Sequence, residues 1–256
     1  MNILTKISSV ILFTAMVIVL LFLSLSLNKK DERSVKQLKI SGNKYLSAKN
    51  YIDFAHLDDT ANTGIGLSVI KNRLEKHPYI ARADIKYESE GMAEVQLVEK
   101  DFESILRCNS KEFLVTTELE TVPLLLYTRG IDLPVIINPE GSNTIKEFQN
   151  IGSHTGVMES LKIIETCKLL DDKLINNLSE VDLRGGRDIL VRFASFEYPL
   201  ILGRGNEVRK MLYFERIWSY LRGKNLNNEI QYLDLRFDKH VFIGLSENIA
   251  EKENRI

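Results

Sequence analysis

One stretch limits what this chain can be. Ile7 to Leu27, ISSVILFTAMVIVLLFLSLSL, carries no charge, no proline and no glycine. As a helix rising about 1.5 Å per residue it spans roughly 30 Å, the hydrocarbon thickness of a bilayer. Its serines and threonine can bond back to helix carbonyls, so they do not oppose insertion. A soluble core helix would separate a polar from an apolar face, and this run does not. The rival reading is a cleaved signal peptide. The apolar region is too long for one, and Asn28-Lys29-Lys30-Asp31-Glu32 offers no small-residue cleavage site. The expectation is a short head over 1–6, a transmembrane helix over 7–27, a stem over 28–34 and a tethered soluble body. Flanking charge leaves the side open. Lys6 precedes the run, whereas Lys29, Lys30, Arg33, Lys36 and Lys39 follow it. The positive-inside rule taken literally keeps the body in the cytoplasm, but large domains cross regardless of that rule.

Beyond the stem the patterns change at short intervals. Val35, Leu38 and Ile40 mark a short strand before the turn pair Gly42-Asn43. Ser47 is a good helix N-cap, with Leu46 and Tyr51 spaced as a hydrophobic staple. Ala48, Tyr51, Ile52 and Ala55 then share a helix face. Asp58 to Gly66 reads as a loop. Leu67, Ile70 and Leu74 mark a second helix that stops before Pro78. Tyr79 to Tyr87 alternates, placing Tyr79, Ala81, Ala83, Ile85 and Tyr87 on one face and Ile80, Arg82, Asp84 and Lys86 on the other. Met92 to Glu99 alternates again, with Ala93, Val95 and Leu97 together. The order is strand, helix, helix, strand, strand.

That order and its residues, LKISGNKYLS, KHPYIARADIKY and VQLVEKD, resemble a POTRA domain. No proline follows Lys100, where POTRA domains of division proteins usually carry one. Further on, FLVTTE, TVPLLLYT and LPVII read as strands, and Val157, Leu161, Ile164 and Cys167 share a helix face. LSEVDLRGGRDILVRFA reads as a hairpin turning at Gly185-Gly186. PLILG is a strand ending at Gly203. A helix follows from an Asn206 cap, with Met211, Phe214, Ile217, Trp218 and Leu221 inward. EIQYLDLRFDKHVFIGL closes the body. LPVI, PLILG before a helix with Lys210 near its start, and YLDLRFD leading to a last strand resemble the C-terminal β domain of the FtsQ/DivIB cell-division family. The fold class expected is α+β: a transmembrane helix, a POTRA domain over 35–104, then a mixed or antiparallel β domain with flanking helices over 105–246. A flexible tail follows over 247–256.

Composition bounds the chemistry. With 44% hydrophobic and 27% charged residues the body is globular, and a net charge of −1 supplies no field that draws nucleic acid. Cys108 and Cys167 form neither a disulfide framework nor a metal motif; Cys167 reads as a dry buried thiol. His56, His77, His154 and His240 are scattered, with no ligand pair, and each reads as a solvated loop residue. Gly64-Ile65-Gly66 and Gly203-Arg204-Gly205 are too short for a dinucleotide fingerprint. The pair Asp58-Asp59 reads as a solvated loop, since a catalytic dyad needs burial to split its pKa values. No nucleophile–base set is visible, so an enzyme, a cofactor, a metal and a small-molecule substrate are not expected.

Strands still offer backbone hydrogen bonds at an open edge, where an extended partner can add a strand. The last strand, His240 to Leu245, is the candidate. Alternation places Val241, Ile243 and Leu245 inward and leaves Phe242 and Gly244 on the other face, with Gly244 permitting close backbone approach. Phe242 then either forms a docking surface or packs under the preceding helix or the tail; the resemblance favours docking. It also implies the partner site by position: Arg236, Phe237, Asp238 and Lys239 at the turn, then Val241, Phe242, Ile243, Gly244 and Leu245. Relatives often carry tyrosine where Phe237 stands and small residues where Lys239 and His240 stand. The implied partners are FtsB/FtsL-type membrane-anchored division proteins, with further division proteins reached through the POTRA domain. The implied place is the division septum, single-pass in the inner membrane, amino terminus cytoplasmic and body outside. The competing functions are a POTRA protein of another assembly or secretion system, and a membrane-tethered hydrolase.

Overall fold

The computed structural model describes residues 12–22, 35–58, 65–221 and 230–245. Residues 12–22 form a helix (α1) whose large side chains, Leu12, Phe13, Met16, Ile18 and Phe22 among them, are exposed. The head, the rest of the apolar run, the whole stem over 28–34, residues 59–64, residues 222–229 and the chain from 246 on lie outside the described residues. Among the described residues no helix is long and apolar enough to cross a membrane.

The body is α+β with two mixed sheets. The first holds β1 (Gln37–Ser41), β2 (Ile80–Ser89) and β3 (Met92–Glu99) in the order β1-β3-β2. β3 runs parallel to β1 and antiparallel to β2. Two helices, α2 (Ala48–Phe54) and α3 (Leu67–Leu74), fill the crossover that a parallel pair requires. Ser47 caps α2 in a capping box: its Oγ accepts from Asn50 N–H at 3.2 Å, and Asn50 Oδ1 accepts from Ser47 N–H at 3.2 Å. Gly42 holds φ +80°, and a Cβ there would lie 2.2 Å from the Leu97 carbonyl oxygen, so the turn excludes every side chain. The Glu99 carboxylate anchors the same loop, accepting from the N–H groups of Lys44 and Tyr45 and from the Tyr51 hydroxyl. Burial, then that hydrogen bond, push the Tyr51 phenol up.

β3 alternates as its sequence predicts, with Ala93, Val95 and Leu97 buried. β2 does so only from Arg82 on, where Ala83 is buried, Ile85 and Tyr87 are half-buried and Arg82, Asp84 and Lys86 are exposed. Ahead of that its register slips between Ile80 and Arg82, leaving Ala81 exposed and turning Ile80 into the core. A bulge breaks the alternation locally, which period-2 counting cannot see. His77 is the second departure: it is 3% exposed, not solvated. Its ring lies among Tyr51, Phe54 and Tyr79, with centroids 4.6, 4.6 and 5.5 Å away, and its Nδ1 accepts from Tyr79 N–H at 3.1 Å.

Among the described residues the second sheet has nine strands: β4 (Phe102–Cys108), β5 (Lys111–Thr116), β6 (Thr121–Pro123), β7 (Val135–Ile137), β8 (Leu178–Asp182), β9 (Leu190–Phe193), β10 (Leu200–Ile201), β11 (Ile230–Asp234) and β12 (Phe242–Leu245). Their order is β12-β11-β10-β9-β8-β7-β4-β5-β6. α4 (Thr155–Leu170), α5 (Asp172–Asn177) and α6 (Glu207–Leu221) join its main core, where Val157, Ile164, Cys167, Met211, Phe214 and Trp218 meet Leu106, Ile136, Val181, Val191 and Leu233. Alternate residues of β4 to β6 feed the other core instead: Phe102, Leu114 and Val122 pack with Tyr51 and Tyr79. One sheet thus serves two clusters from its two faces.

The strand expected over TVPLLLYT stops at Pro123. Tyr79 Oη accepts from Leu125 N–H at 2.9 Å, and Thr128 N–H donates to the Leu125 carbonyl at 3.2 Å. The chain therefore turns at Leu126-Tyr127, with Tyr127 at φ +67°. The predicted hairpin of β8 and β9 forms, with both Gly185 and Gly186 at positive φ. Asn206 takes φ +58° rather than the extended backbone usual for an N-cap, and α6 begins at Glu207. Cys108 and Cys167 are buried, which pushes their thiols up to about 11 and about 12.

Ser104 is fully buried on β4, and its Oγ has no hydrogen-bond partner among the described residues. Removing an unsatisfied buried hydroxyl relieves a desolvation cost. Ser104→Ala is therefore expected to hold or raise stability, by up to about 1 kcal/mol in urea unfolding. A loss of that size would show that the hydroxyl does have a partner.

Candidate functional site

The two ends of the nine-stranded sheet differ. At β6 the outer side is closed by the chain itself: Thr121 N–H donates to the Gln149 carbonyl at 3.0 Å, Phe148 N–H donates to the Thr121 carbonyl at 2.7 Å, and Glu120 bridges Asn150. At the opposite end β12 pairs with β11 alone among the described residues. Among those residues that side is an open row of backbone groups.

The side chains of β12 depart from the expected in–out pattern. Val241, Ile243 and Leu245 do not face inward under cover: they are 37%, 49% and 38% exposed, and Phe242 is 52% exposed. Ile243 stands opposite Leu233, which is fully buried. Both point to the helix side, but the helix layer covers β11 and leaves β12 half bare. Alternation fixes which residues share a face, not whether anything lies above that face.

Gly244 has a reason inside the chain. It pairs with Tyr232, and a Cβ on it would lie 2.3 Å from Tyr232 Cε1 and 2.6 Å from Cδ1 and Cζ. The ring lies across the glycine, the cross-strand cover known to rescue glycines in edge strands. Close approach here belongs to Tyr232. Gly244→Val is expected to cost about 1 kcal/mol or more of stability by overpacking. In a Tyr232→Ala background most of that cost should vanish in thermal unfolding; an equal cost in both backgrounds would refute the contact.

The turn before β12 is built on Arg236. Its Nε donates to Asp234 Oδ1 and Oδ2 at 3.0 and 3.1 Å, its Nη2 to Asp234 Oδ2 at 2.7 Å, and its Nη1 to Asp188 Oδ2 at 2.9 Å. Asp234 is buried. Burial alone would raise its carboxyl, but hydrogen bonds from the Arg236 side chain and backbone N–H outweigh that and hold it below the usual range. The Arg236 stem crosses Gly203, where a Cβ would come within 2.7 Å of its Cγ. Arg236 is thus a staple between β11 and the ends of β9 and β10, held before any partner arrives. Beyond it Phe237 is exposed and meets Phe242 edge-on, with centroids 5.0 Å apart and planes at 73°. Lys239 takes φ +62° to close the turn, and His240 Nδ1 lies 2.9 Å from the Asp238 carbonyl oxygen.

Between this turn and the start of α6 lies a groove of about 320 Å³. Arg204, Arg209, Lys210, Tyr213 and Arg216 line one side, and Leu235 to Val241 the other. Arg209 reaches Asp238 at 3.5 Å, and Lys210 Nζ donates to the carbonyls of Leu202 and Arg204. The lining is strongly cationic. Sequence reading missed this wall, although Arg209, Tyr213 and Arg216 have the spacing of one helix face. What the spacing could not give is that this face looks at a turn some twenty residues further along. His154 precedes α4 and is half-buried, and His56 lies after α2 and is exposed. Among the described residues no group of three His, Cys, Asp or Glu side chains is placed to hold a metal ion.

The chain is similar to Cell division protein FtsQ of Geotalea daltonii. The two are 22% identical over 212 residues, which cover 82% of this chain and 74% of that protein. No family model matches the chain. The α+β body with mixed sheets is consistent with an FtsQ-like fold.

Proposed function

We propose that this chain is a non-catalytic, single-pass membrane scaffold of the bacterial division machinery, of the FtsQ kind. The observation that carries the reading is the open end of the nine-stranded sheet. β12 offers backbone groups with exposed Phe242 and Phe237 beside a cationic groove, while β6 at the other end is closed. An extended segment of an FtsB/FtsL-type partner adds as a strand against β12, and acidic side chains on it suit the groove. The similarity to a cell-division protein over most of the chain supports the same role.

In this reading residues 35–104 form a POTRA unit that reaches further division proteins, and 105–246 form the partner-binding β domain. The apolar run 7–27 anchors both, and the exposure of large apolar side chains throughout α1 supports a lipid-facing helix. Anchoring confines the body near partners that are themselves membrane-bound and so raises their effective concentration. The body lies outside the membrane at the septum.

The test is co-purification of the full chain with membrane-anchored division proteins, together with the position of a fluorescent fusion. Mid-cell signal with partner capture supports the proposal. A dispersed envelope signal without capture would favour another assembly or secretion system.

A further inference from the structure

The first sheet has an open side of its own. Among the described residues β2 pairs only with β3, and it is ten residues long against five for β1 at the other edge. Register slips at Ile80/Arg82 and Tyr87/Ser89 bracket a regular stretch from Arg82 to Tyr87. No proline interrupts it. Its exposed face carries Arg82, Asp84, Lys86 and Glu88, alternating in sign.

Charges are a common way to blunt an edge, but blunting works through repulsion between like charges. This pattern is complementary to itself. Two antiparallel copies centred on Ile85 set Arg82 against Glu88 and Asp84 against Lys86, each pair occurring twice by symmetry. Centring on Lys86 would oppose Lys86 to itself and Asp84 to Glu88. Centring on Asp84 would oppose Asp84 to itself and Arg82 to Lys86. Within Ala83 to Tyr87 only Ile85 sets all four charges against opposite ones. Opposite charges directly across a strand pair stabilise it, and like charges destabilise it.

We infer that β2 is a self-association edge, where a second copy of this chain adds antiparallel about Ile85 to make one continuous six-stranded sheet. Today Glu75 Oε1 accepts from Ala83 N–H at 3.1 Å, so the odd-numbered N–H groups of this stretch face away from β3. Pairing exchanges that bond for a backbone carbonyl of the second copy. The ion pairs Arg82–Asp84 and Lys86–Glu94 also rearrange; both are surface pairs, which contribute little.

The test is sedimentation of the full chain in detergent micelles. Wild type is expected to form a reversible dimer. R82E/K86E makes the strand face uniformly negative, and D84K/E88K makes it uniformly positive. Each variant alone should dissociate about tenfold more readily or worse. An equimolar mixture of the two should return to wild-type strength, which no loss of folding can imitate. A monomeric wild type overturns the inference and leaves the charges as a guard against pairing or as contacts for a different strand. Variants that self-associate like wild type, or a mixture no stronger than either alone, overturn it equally.

Discussion

Replacing Phe242 with lysine is expected to lower the affinity of the full chain for a strand-forming segment of the proposed partner by about 30-fold or more. A central aromatic anchor is worth about 2 kcal/mol or more at an interface, and each 1.4 kcal/mol is tenfold. Phe242 is more than half exposed, and its main ring contact is Phe237, itself exposed. Losing such a contact shifts fold stability by no more than about 1 kcal/mol. Affinity and stability therefore separate: titration calorimetry should report the loss while the unfolding midpoint barely moves. Phe242→Ala should act in the same direction, which removes the added charge as an explanation. Phe242→Leu, keeping much of the apolar area, should fall between. Unchanged affinity in the lysine and alanine variants would eliminate β12 as the docking strand.

Acid should destabilise the body through His77, by about 3 kcal/mol between pH 6.5 and pH 4. Burial lowers the His77 imidazole to about 4. Its Nδ1 accepts from Tyr79 N–H, an arrangement that requires the neutral ring at that nitrogen. Above the ordinary value near 6.5 the ring is neutral folded or unfolded, and stability is complete. As pH falls below that value the unfolded chain takes up a proton that the folded chain refuses, so the balance tilts toward unfolding. Below about 4 both forms are protonated and the loss is fully expressed. For a body held by 5–15 kcal/mol, such a loss is large. His77→Asn keeps an acceptor for Tyr79 N–H and cannot titrate in this range. Urea unfolding across this range should show a markedly flatter pH profile for His77→Asn than for wild type. Parallel profiles would place the acid sensitivity in carboxylates elsewhere.

Both sites show how far the sequence reads. The N-cap at Ser47, the alternation of β3, the hairpin at Gly185-Gly186 and the inward face of α6 at Met211, Phe214 and Trp218 were all legible. Each is set by residues within a few positions of one another. β4 was hidden because the buried set Phe102, Ser104, Leu106 and Cys108 includes a serine, which breaks the apolar alternation in a local count. The tip at Leu126-Tyr127 read as strand because three leucines outweigh, in any local count, a hydroxyl reaching in from Tyr79. His77 read as solvent-facing for the same reason: besides the nearby Tyr79, its aromatic shell is Tyr51 and Phe54 of α2, which lie far back along the chain.

By itself the sequence determined the segments, their order and which side chains share a face, because helix and strand periods are properties of consecutive residues. Only the tertiary structure decided which strands lie side by side. β4 pairs with β7 and β10 with β11 across long intervening segments, and those pairings leave β12 at one end of the sheet and close the other with residues 148–150. The same packing laid the Tyr232 ring over Gly244 and left Ile243 half bare. Neighbours distant in sequence are chosen by the collective burial of two cores, and no local pattern carries that information.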